Sequence, residues 1–292
     1  MSAIEFREVS KNFGDKKALD NVTFTVEEGD VFGFLGPNGA GKTTSIRCIM
    51  DFIRPTSGEV TVLGYNSHAD SVLLNTKLGY LSSDVRFYEN LTAQEHLIFY
   101  RKMYKDTTKV QELIEMLSLD LHIQYKHLST GNKQKLGIVM AFGHNPELLI
   151  LDEPTRGLDP LLQNVVYDLI KEKKKDGATV FMSSHVLSEV SEMCNRVGII
   201  KNGHMLAIES MSSIKKKKVI NVHVTFAEPV EPQHFESEFV EVAAKNKHEL
   251  TMQVKGAVDP VLKMISKFTV QDLEVTHARL EDLFMEYYQN GK

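Results

Sequence analysis

The sequence feature that most constrains the fold is the glycine-rich stretch GPNGAGKT at residues 36–43. It follows VFGFLG, an apolar run typical of a buried strand, and it leads into KTTSIRCIMDFI, where apolar residues recur at helical spacing. The stretch fits the pattern G-x-x-x-x-G-K-[ST], in which backbone N–H groups surround phosphate oxygens at the start of a helix. A strand, a loop and a helix in this order predict an α/β domain that binds a nucleotide.

The loop provides the first set of candidate nucleotide ligands, which are Gly36, Pro37, Asn38, Gly39, Ala40, Gly41, Lys42, Thr43 and Thr44. Lys42 is expected to reach the β- and γ-phosphates, and Thr43 to give its hydroxyl to Mg²⁺. Thr44 is expected near the α-phosphate. The alternative is a glycine-rich turn that matches the pattern by chance, and the flanking strand and helix argue against it.

A pair of carboxylates follows the apolar run LLIL at residues 148–151. Ligands bind outside the carboxyl ends of strands in open α/β sheets. Asp152 is therefore a candidate to hold Mg²⁺, usually through water, and Glu153 is a candidate base that positions an attacking water. A helix cap or a surface charge is the alternative for an isolated Asp-Glu pair. The phosphate-loop pattern about 110 residues earlier favours the functional interpretation.

The hydrophobic pattern predicts a large first domain over residues 1–214. Period-two alternation in IEFREV and VTFTV predicts strands, and a helical insert is expected at about 88–146. After the insert, strands and helices alternate as parallel βαβ units, which is typical of an α/β fold.

The lysine run at 215–218 marks the expected end of that domain. It is interpreted as a solvated linker, with a contact to anionic lipid as the alternative. Residues 219–292 are expected to form a small α+β domain, with a hairpin around Asn246 and helices at 258–267 and 278–289.

Composition excludes several classes of protein. The net charge of −5 argues against a nucleic-acid partner, because nucleic-acid binding usually requires a basic excess. No apolar run approaches the roughly 18–20 residues of a membrane span, and the charged N-terminus lacks the apolar core of a signal peptide. Cys48 and Cys194 lack CxxC spacing, so we expect a reduced, cytosolic chain.

Taken in order, the motifs resemble those of the ATP-binding cassette (ABC) family over roughly residues 3–215. GPNGAGKTT resembles the phosphate loop, LSTGN at 128–132 stands where the family has its LSGGQ-type signature, and LLILDEP resembles the acidic strand. The resemblance implies a mixed-sheet core with an antiparallel β subdomain and a helical insert, here followed by the small α+β domain. It also implies ATP and Mg²⁺ as cofactors.

The resemblance assigns roles to further residues. Phe13 is expected to stack on adenine, His185 to sense the γ-phosphate, and Asp159 to belong to a loop that crosses to a partner subunit. In this family the nucleotide lies between the phosphate loop of one subunit and the signature of the other. Ser129 is then expected to donate to the γ-phosphate of the partner's ATP, with the N–H of Gly131 facing it. A serine that only caps the helix is the alternative, and the two interpretations are compatible.

The sequence departs from the family pattern at two places. Thr130 and Asn132 stand where the signature more commonly has Gly and Gln, but Ser129 is intact, so closure is still expected. Ser83 stands where a glutamine usually contacts Mg²⁺ and links to the membrane partner. Either Ser83, acting through a water, or Asp84 is expected to serve instead.

The function implied by the resemblance is that of the ATPase subunit of an ABC transporter. Two copies, or one copy with a paralogue, are expected to close on two Mg·ATP and to drive a separate membrane permease from the inner, cytoplasmic face of the cell membrane. The ending DLEVTHARLEDLFMEYY resembles the C-terminal extension of export and drug-resistance subunits, so we expect export, with the extension assisting dimerisation or regulation.

Two other functions compete with transport. A soluble ABC ATPase acting in translation or on DNA is disfavoured by the single undivided cassette, the lack of heptads and the acidic charge. A P-loop kinase is disfavoured because it leaves LSTGN and the SSH stretch before residue 186 unexplained.

Overall fold

The computed structural model describes residues 1–216, 219–244 and 246–277. Contacts divide the chain into two compact units, Met1–Glu209 and Ser210–Lys292. Among the described residues, no helix combines the length and the apolar character needed to cross a membrane.

The first unit combines strands and helices in an α/β arrangement. Its strands are, in chain order, β1 (Ser2–Phe13), β2 (Lys16–Glu27), β3 (Val31–Leu35), β4 (Ser57–Val62), β5 (Tyr65–Asn66), β6 (Leu78–Leu81), β7 (Leu148–Asp152), β8 (Thr179–Ser184), β9 (Arg196–Lys201) and β10 (His204–Ser210). Its helices are α1 (Lys42–Ile49), α2 (Ser71–Leu74), α3 (Ala93–Met103), α4 (Lys109–Met116), α5 (Thr130–Phe142), α6 (Pro160–Lys175) and α7 (Leu187–Met193).

Two sheets form the centre of this unit. The larger has the order β10-β9-β3-β8-β7-β6, with parallel pairing from β9 through to β6. The smaller has the order β2-β1-β4-β5 and is antiparallel. Phe24 of the small sheet stacks on Phe6 at 4.5 Å and on Phe34 of the large sheet at 5.3 Å, so aromatic rings fill the space between the sheets. The expected core with an antiparallel β subdomain is confirmed.

The register of the large sheet brings three chain segments to one edge. Leu35, the last residue of β3, pairs with Ser184, and Asp152 pairs with Ser183. Strands β3 and β7 are buried along their whole length, as expected for continuous apolar runs in a sheet covered on both faces. The glycine-rich loop and the residues that follow β7 and β8 therefore begin side by side.

The helical insert is attached to the sheet by a buried histidine. Helix α3 begins with a capping box formed by Thr92 and Glu95, which satisfies N–H groups of its first turn. Tyr100 of α3 donates from its hydroxyl to Nδ1 of His144 at 2.6 Å, and Nε2 of His144 donates to the carbonyl oxygen of Leu78 in β6 at 3.1 Å. The histidine thus connects α3 to β6, the strand that precedes the 83–89 loop.

The second unit is a small α+β fold with its own core. It comprises α8 (Met211–Lys216), β11 (Val219–Phe226), β12 (Val240–Ala244), β13 (Glu249–Lys255), α9 (Asp259–Ile265) and β14 (Val270–His277). The strands form an antiparallel sheet in the order β12-β13-β11-β14. The buried core of this unit includes Phe226 and Met252 from the sheet and Phe235 from the connection between β11 and β12.

The structure resolves several expectations for this region. The hairpin around Asn246 is confirmed by the pairing of β12 with β13, and the first expected helix is α9. The second expected helix, at 278–289, lies outside the described residues. The first two lysines of the 215–218 run belong to α8 rather than to a linker, and the division at 209/210 comes before the expected boundary because α8 groups with the second unit.

Candidate active site

A cavity of about 710 Å³ opens at the edge where β3, β7 and β8 end. Residues expected from the sequence form most of its lining, and these are Phe13, Asn38, Gly39, Gly41, Lys42, Thr43, Thr44, Glu153 and His185. Ser83 lines the cavity too, as do three residues that the sequence patterns did not indicate, Lys16, Ala18 and Arg156. Gly36, Pro37 and Ala40 belong to the same loop without lining the cavity.

Two glycines let the loop take its path. Gly41 has a φ of 117°, and a Cβ there would lie 2.9 Å from the carbonyl oxygen of Ala18. A Cβ at Gly36 would lie 2.4 Å from the carbonyl oxygen of Ile200. Only glycine fits these positions. As the N-cap of α1, Gly41 provides no side-chain cap, so the free N–H groups of the first turn are left for a ligand.

The ammonium group of Lys42 is held by the loop itself. Lys42 is buried, and its Nζ donates to the carbonyl oxygens of Gly36 at 2.7 Å and Pro37 at 3.2 Å. Burial lowers the pKa of Lys42, and the nearby carboxylates of Glu153 and Asp152 act in the opposite direction. The ammonium group donates to carbonyl oxygens and lies 3.9 Å from Oε1 of Glu153, and the loop holds it where it could bind a phosphate.

Asp152, at the end of β7, accepts hydrogen bonds from three hydroxyl groups. It is 1% exposed. Thr43 and Ser83 donate to its Oδ2 at 3.1 and 3.2 Å, and Ser183 donates to its Oδ1 at 2.6 Å. Mg²⁺ prefers oxygen ligands, and proteins commonly bind it through one or two carboxylates together with phosphates and water. These oxygens fit a magnesium ion, while no group of three His, Cys, Asp or Glu converges in the part of the chain that is described.

The loop after β6 places Ser83, and not the neighbouring Asp84, beside Asp152. Ser83 lines the cavity and bonds to Asp152. Asp84 instead forms an ion pair with Arg86 at 2.7 Å, and both side chains are exposed. The structure therefore brings Ser83, and not Asp84, into contact with Asp152.

Glu153 adopts a backbone conformation that is rare for residues other than glycine. Its φ is 49°, and its N–H donates to the carbonyl oxygen and the hydroxyl of Ser183 at 3.2 and 3.1 Å. Strained residues of this kind cluster at functional sites. The carboxylate lies among basic groups, with Nδ1 of His185 at 3.0 Å from Oε1 and Nη1 of Arg156 at 3.9 Å from Oε2.

A second glutamate joins the segments that carry Glu153 and His185. Glu189, on α7, accepts hydrogen bonds from the hydroxyl of Thr155 and, at 2.7 Å, from that of Ser184. Thr155 lies in the turn after Glu153, and Ser184 precedes His185. Glu189 therefore supports the contact between Glu153 and His185. The sequence carried no signal for it, because the three partners meet only in the folded chain.

Phe13 lies at the edge of the cavity with part of its ring free. Its side chain is 48% exposed, and Nζ of Lys11 lies 5.2 Å from the ring centroid. An aromatic ring in this position can stack on a flat, apolar group that enters the cavity.

The other candidates lie outside this cavity. Ser129 caps α5, and its hydroxyl accepts from the N–H of Asn132 at 3.2 Å. Asp159 caps α6 by accepting from two backbone N–H groups of the first turn, both at 3.0 Å. A Cβ at Gly131 would have no atom within 4 Å, so that position faces open space. These three residues are thus free of the chain's own cavity.

Comparison with known proteins identifies the family. A family model described as ABC transporter matches residues 19–156. The chain is 39% identical over 223 residues to the bacitracin transport ATP-binding protein BcrA of Bacillus licheniformis, which covers 73% of this chain and 72% of the relative. The chain belongs to the ATP-binding subunits of ABC transporters. The resemblance read from the motifs is therefore confirmed.

Further comparisons extend the match beyond the cassette. This ABC subunit is 30% identical over 292 residues to the ABC transporter ATP-binding protein YhcH of Bacillus subtilis strain 168, covering 98% of this chain and 95% of the relative. A solved structure of an ATP-binding subunit of an ABC transporter matches with a TM-score of 0.68 at 31% identity, over 74% of this chain and 92% of that one. A dimeric structure of MJ0796, a bacterial ABC transporter cassette, matches with a TM-score of 0.65 at 25% identity, over 71% and 98%.

Proposed function

We propose that this ABC subunit hydrolyses ATP with Mg²⁺, closes as a dimer on two nucleotides and drives a separate membrane permease. The observation that carries the proposal is the convergence of Lys42, Thr43, Glu153 and His185 on one cavity, with Asp152 bonded to Thr43. Phosphoryl transfer to water needs a cation for the phosphates, ligands for a metal and a group that positions the water.

Each residue has a defined task in this proposal. Lys42 exchanges its loop carbonyls for phosphate oxygens, and Phe13 stacks on adenine. Thr43 and Asp152 hold Mg²⁺, with Ser83 completing the hydroxyl set around the carboxylate. Bound Mg²⁺ would neutralise charge on the phosphate oxygens. Glu153 positions the attacking water.

His185 and the loop complete the nucleotide site. His185 bonds to Oε1 of Glu153 and faces the γ-phosphate, so it links the base to the group that is transferred. Thr44 and the backbone N–H groups at the start of α1 contact the remaining phosphate oxygens.

Closure as a dimer explains the residues outside the cavity. Ser129 and Gly131, at the start of α5, and Asp159, at the start of α6, do not line the chain's own nucleotide cavity. We assign them to the nucleotide of a second copy or of a paralogous subunit. The fold match to a dimeric cassette supports this assignment.

The membrane partner is proposed to bind a second cavity. This cavity, of about 620 Å³, is lined by the 83–89 loop and by Tyr125, Lys133 and Gln134 near the start of α5. A cytoplasmic helix of the permease is the proposed occupant, which would hold the subunit at the inner face of the membrane. Export is the proposed direction, because the C-terminal segment resembles that of export subunits, and one relative is named for bacitracin transport.

The experiment that tests the proposal combines phosphate release with mass in solution. Wild-type protein is expected to release phosphate from Mg·ATP without a second substrate, and Glu153→Gln should lower that rate about 100-fold or more. Glu153→Gln should change from monomer to dimer on adding Mg·ATP, as measured by light scattering. Lys42→Ala is the control that removes nucleotide binding.

The two measurements contradict different parts of the proposal. A wild-type rate in Glu153→Gln would show that Glu153 is not the base. A monomer in Glu153→Gln at saturating Mg·ATP would contradict closure as a homodimer and would leave a paralogous partner. Phosphate transfer to a small acceptor, in place of release to water, would make the chain a kinase.

A further inference from the structure

Arg156 is a cavity residue that none of the tasks above uses. It lies in the turn after Glu153, and its N–H donates to the carbonyl oxygen of Glu153 at 3.1 Å. Its Nη1 lies 3.9 Å from Oε2 of Glu153. Arg156 also lines the second cavity, together with residues of the 83–89 loop.

The two carboxylate oxygens of Glu153 have different neighbours. Oε1 faces Nδ1 of His185 at 3.0 Å and Nζ of Lys42 at 3.9 Å. Oε2 faces Nη1 of Arg156. Among the described residues, Oε1 of Glu153 therefore has two basic neighbours, whereas Oε2 has one.

Nucleotide binding changes this balance. On the proposed function, Lys42 turns to the phosphates and His185 is shared with the γ-phosphate, so both groups on Oε1 take on other partners. Arg156 keeps its place beside Oε2. A carboxylate that must present one oxygen to a water reacts efficiently only when its rotation is restricted.

We propose that Arg156 is a positioning residue for Glu153. Its guanidinium holds Oε2, which orients the carboxylate so that Oε1 faces the attacking water beside His185. The inference rests on the proposed role of Glu153 in ATP hydrolysis. Arg156 acts through that carboxylate and does not contact the reacting phosphate.

The surrounding structure allows Arg156 to be changed without disturbing the turn. The backbone of the turn is fixed by Thr155, whose hydroxyl bonds to Glu189 on α7. The side chain of Arg156 is 65% exposed, so its replacement removes little packing. Arg7 offers a matched control, because it is 61% exposed and pairs with Glu5 on β1, outside the cavity.

The test is steady-state ATP hydrolysis by full-length variants. Arg156→Gln is expected to lower kcat about twofold to fivefold, in the range of an exposed charge pair. The KM for ATP should stay within about twofold of wild type, because uniform nucleotide binding is untouched. Arg156→Lys should recover at least half of the lost rate, and Arg7→Gln should match wild type.

A double variant separates positioning from a general structural role. In the Glu153→Gln background, Arg156→Gln should not reduce the residual rate further, because the carboxylate it positions is gone. Equal losses in both backgrounds would overturn the proposal. So would a wild-type kcat in Arg156→Gln, or a KM that rises while kcat is unchanged, which would place Arg156 on the nucleotide.

Failure of the proposed function has a different signature. If Glu153→Gln hydrolyses ATP at the wild-type rate, Glu153 is not the base, and both proposals are overturned together. If Glu153→Gln is inactive while Arg156→Gln equals wild type, only the role of Arg156 is wrong.

Discussion

Single residues in this protein depend strongly on what surrounds them, and His144 is an example outside the active site. It is 6% exposed, and its two ring nitrogens are occupied by Tyr100 and Leu78. Burial lowers the pKa of His144 to about 4 from an ordinary value of 6.5. The unfolded chain therefore binds a proton near pH 6.5, whereas the folded chain binds it only near pH 4.

This difference makes stability depend on pH in a known direction. As pH falls from about 6.5 to about 4, His144 is protonated in the unfolded state but stays neutral in the folded state. The free energy of unfolding therefore falls by roughly 3 kcal/mol. His144→Gln should lose roughly 1–2 kcal/mol at neutral pH through its lost hydrogen bonds. The gap to wild type should narrow or reverse near pH 5.

Chemical denaturation at about pH 7.5 and about pH 5, followed by circular dichroism, measures both effects. A gap between wild type and His144→Gln that stays constant across the two pH values would show that His144 titrates normally in the folded chain.

Residue types and spacing in the nucleotide site could be predicted because they are local. The residues from Gly36 to Thr43 are consecutive in the chain, and Glu153 directly follows an apolar strand. Arg156 was missed although it lies only three residues after Glu153, because a turn there had to be known before the two side chains could be paired.

At the scale of elements, the start of α5 carries two overlapping functions. Ser129 caps the helix within its own chain, whereas Gly131 has empty space where a side chain would lie. In the proposed dimer this space receives the partner's γ-phosphate. Substitutions at the two positions can therefore change the stability of the monomer in opposite directions while both weaken the dimer.

Gly131→Ala should stabilise the monomer and weaken the dimer. Alanine is favoured over glycine in a helix by roughly 0.5–1 kcal/mol, and the added methyl group meets no atom of its own chain. In the Glu153→Gln background, the ATP-dependent dimer should nevertheless weaken about tenfold, as measured by light scattering across a concentration series.

Ser129→Ala is the matched variant for this comparison. It should lose about 1 kcal/mol of stability with the cap and also weaken the dimer. If Gly131→Ala dimerises like its parent, the start of α5 does not face the partner's nucleotide.

Secondary structure was largely predictable where apolar periodicity was strong. The strands β3 and β7 and the helix α5 follow directly from their apolar patterns. The lysine run was interpreted as a linker from its composition, but its first two residues continue the helix α8.

At the scale of the whole molecule, the nucleotide cavity belongs to one unit. Every residue that lines it lies within Met1–Glu209. The second unit has a core of its own, built on an antiparallel sheet. Nucleotide binding is therefore expected to depend on the first unit.

A chain that ends at residue 216 should still bind nucleotide. It keeps the cavity and the whole of β10, so its Kd for a fluorescent ATP analogue should stay within about threefold of the full chain. Fluorescence anisotropy measures this. A loss of binding in a truncated chain that retains its circular dichroism spectrum would show that the second unit completes the site.

What the sequence by itself determined is the family, the glycine-rich loop and the position of the acidic pair at the end of an apolar strand, because these depend on neighbours along the chain. Tertiary structure alone decided which distant side chains meet. Ser83 reaches Asp152 across 69 residues of sequence, and Glu189 joins the turn after Glu153 to the end of β8. Such contacts require the parallel alignment of β6, β7 and β8, and no local pattern specifies an alignment between strands that are so far apart in the chain.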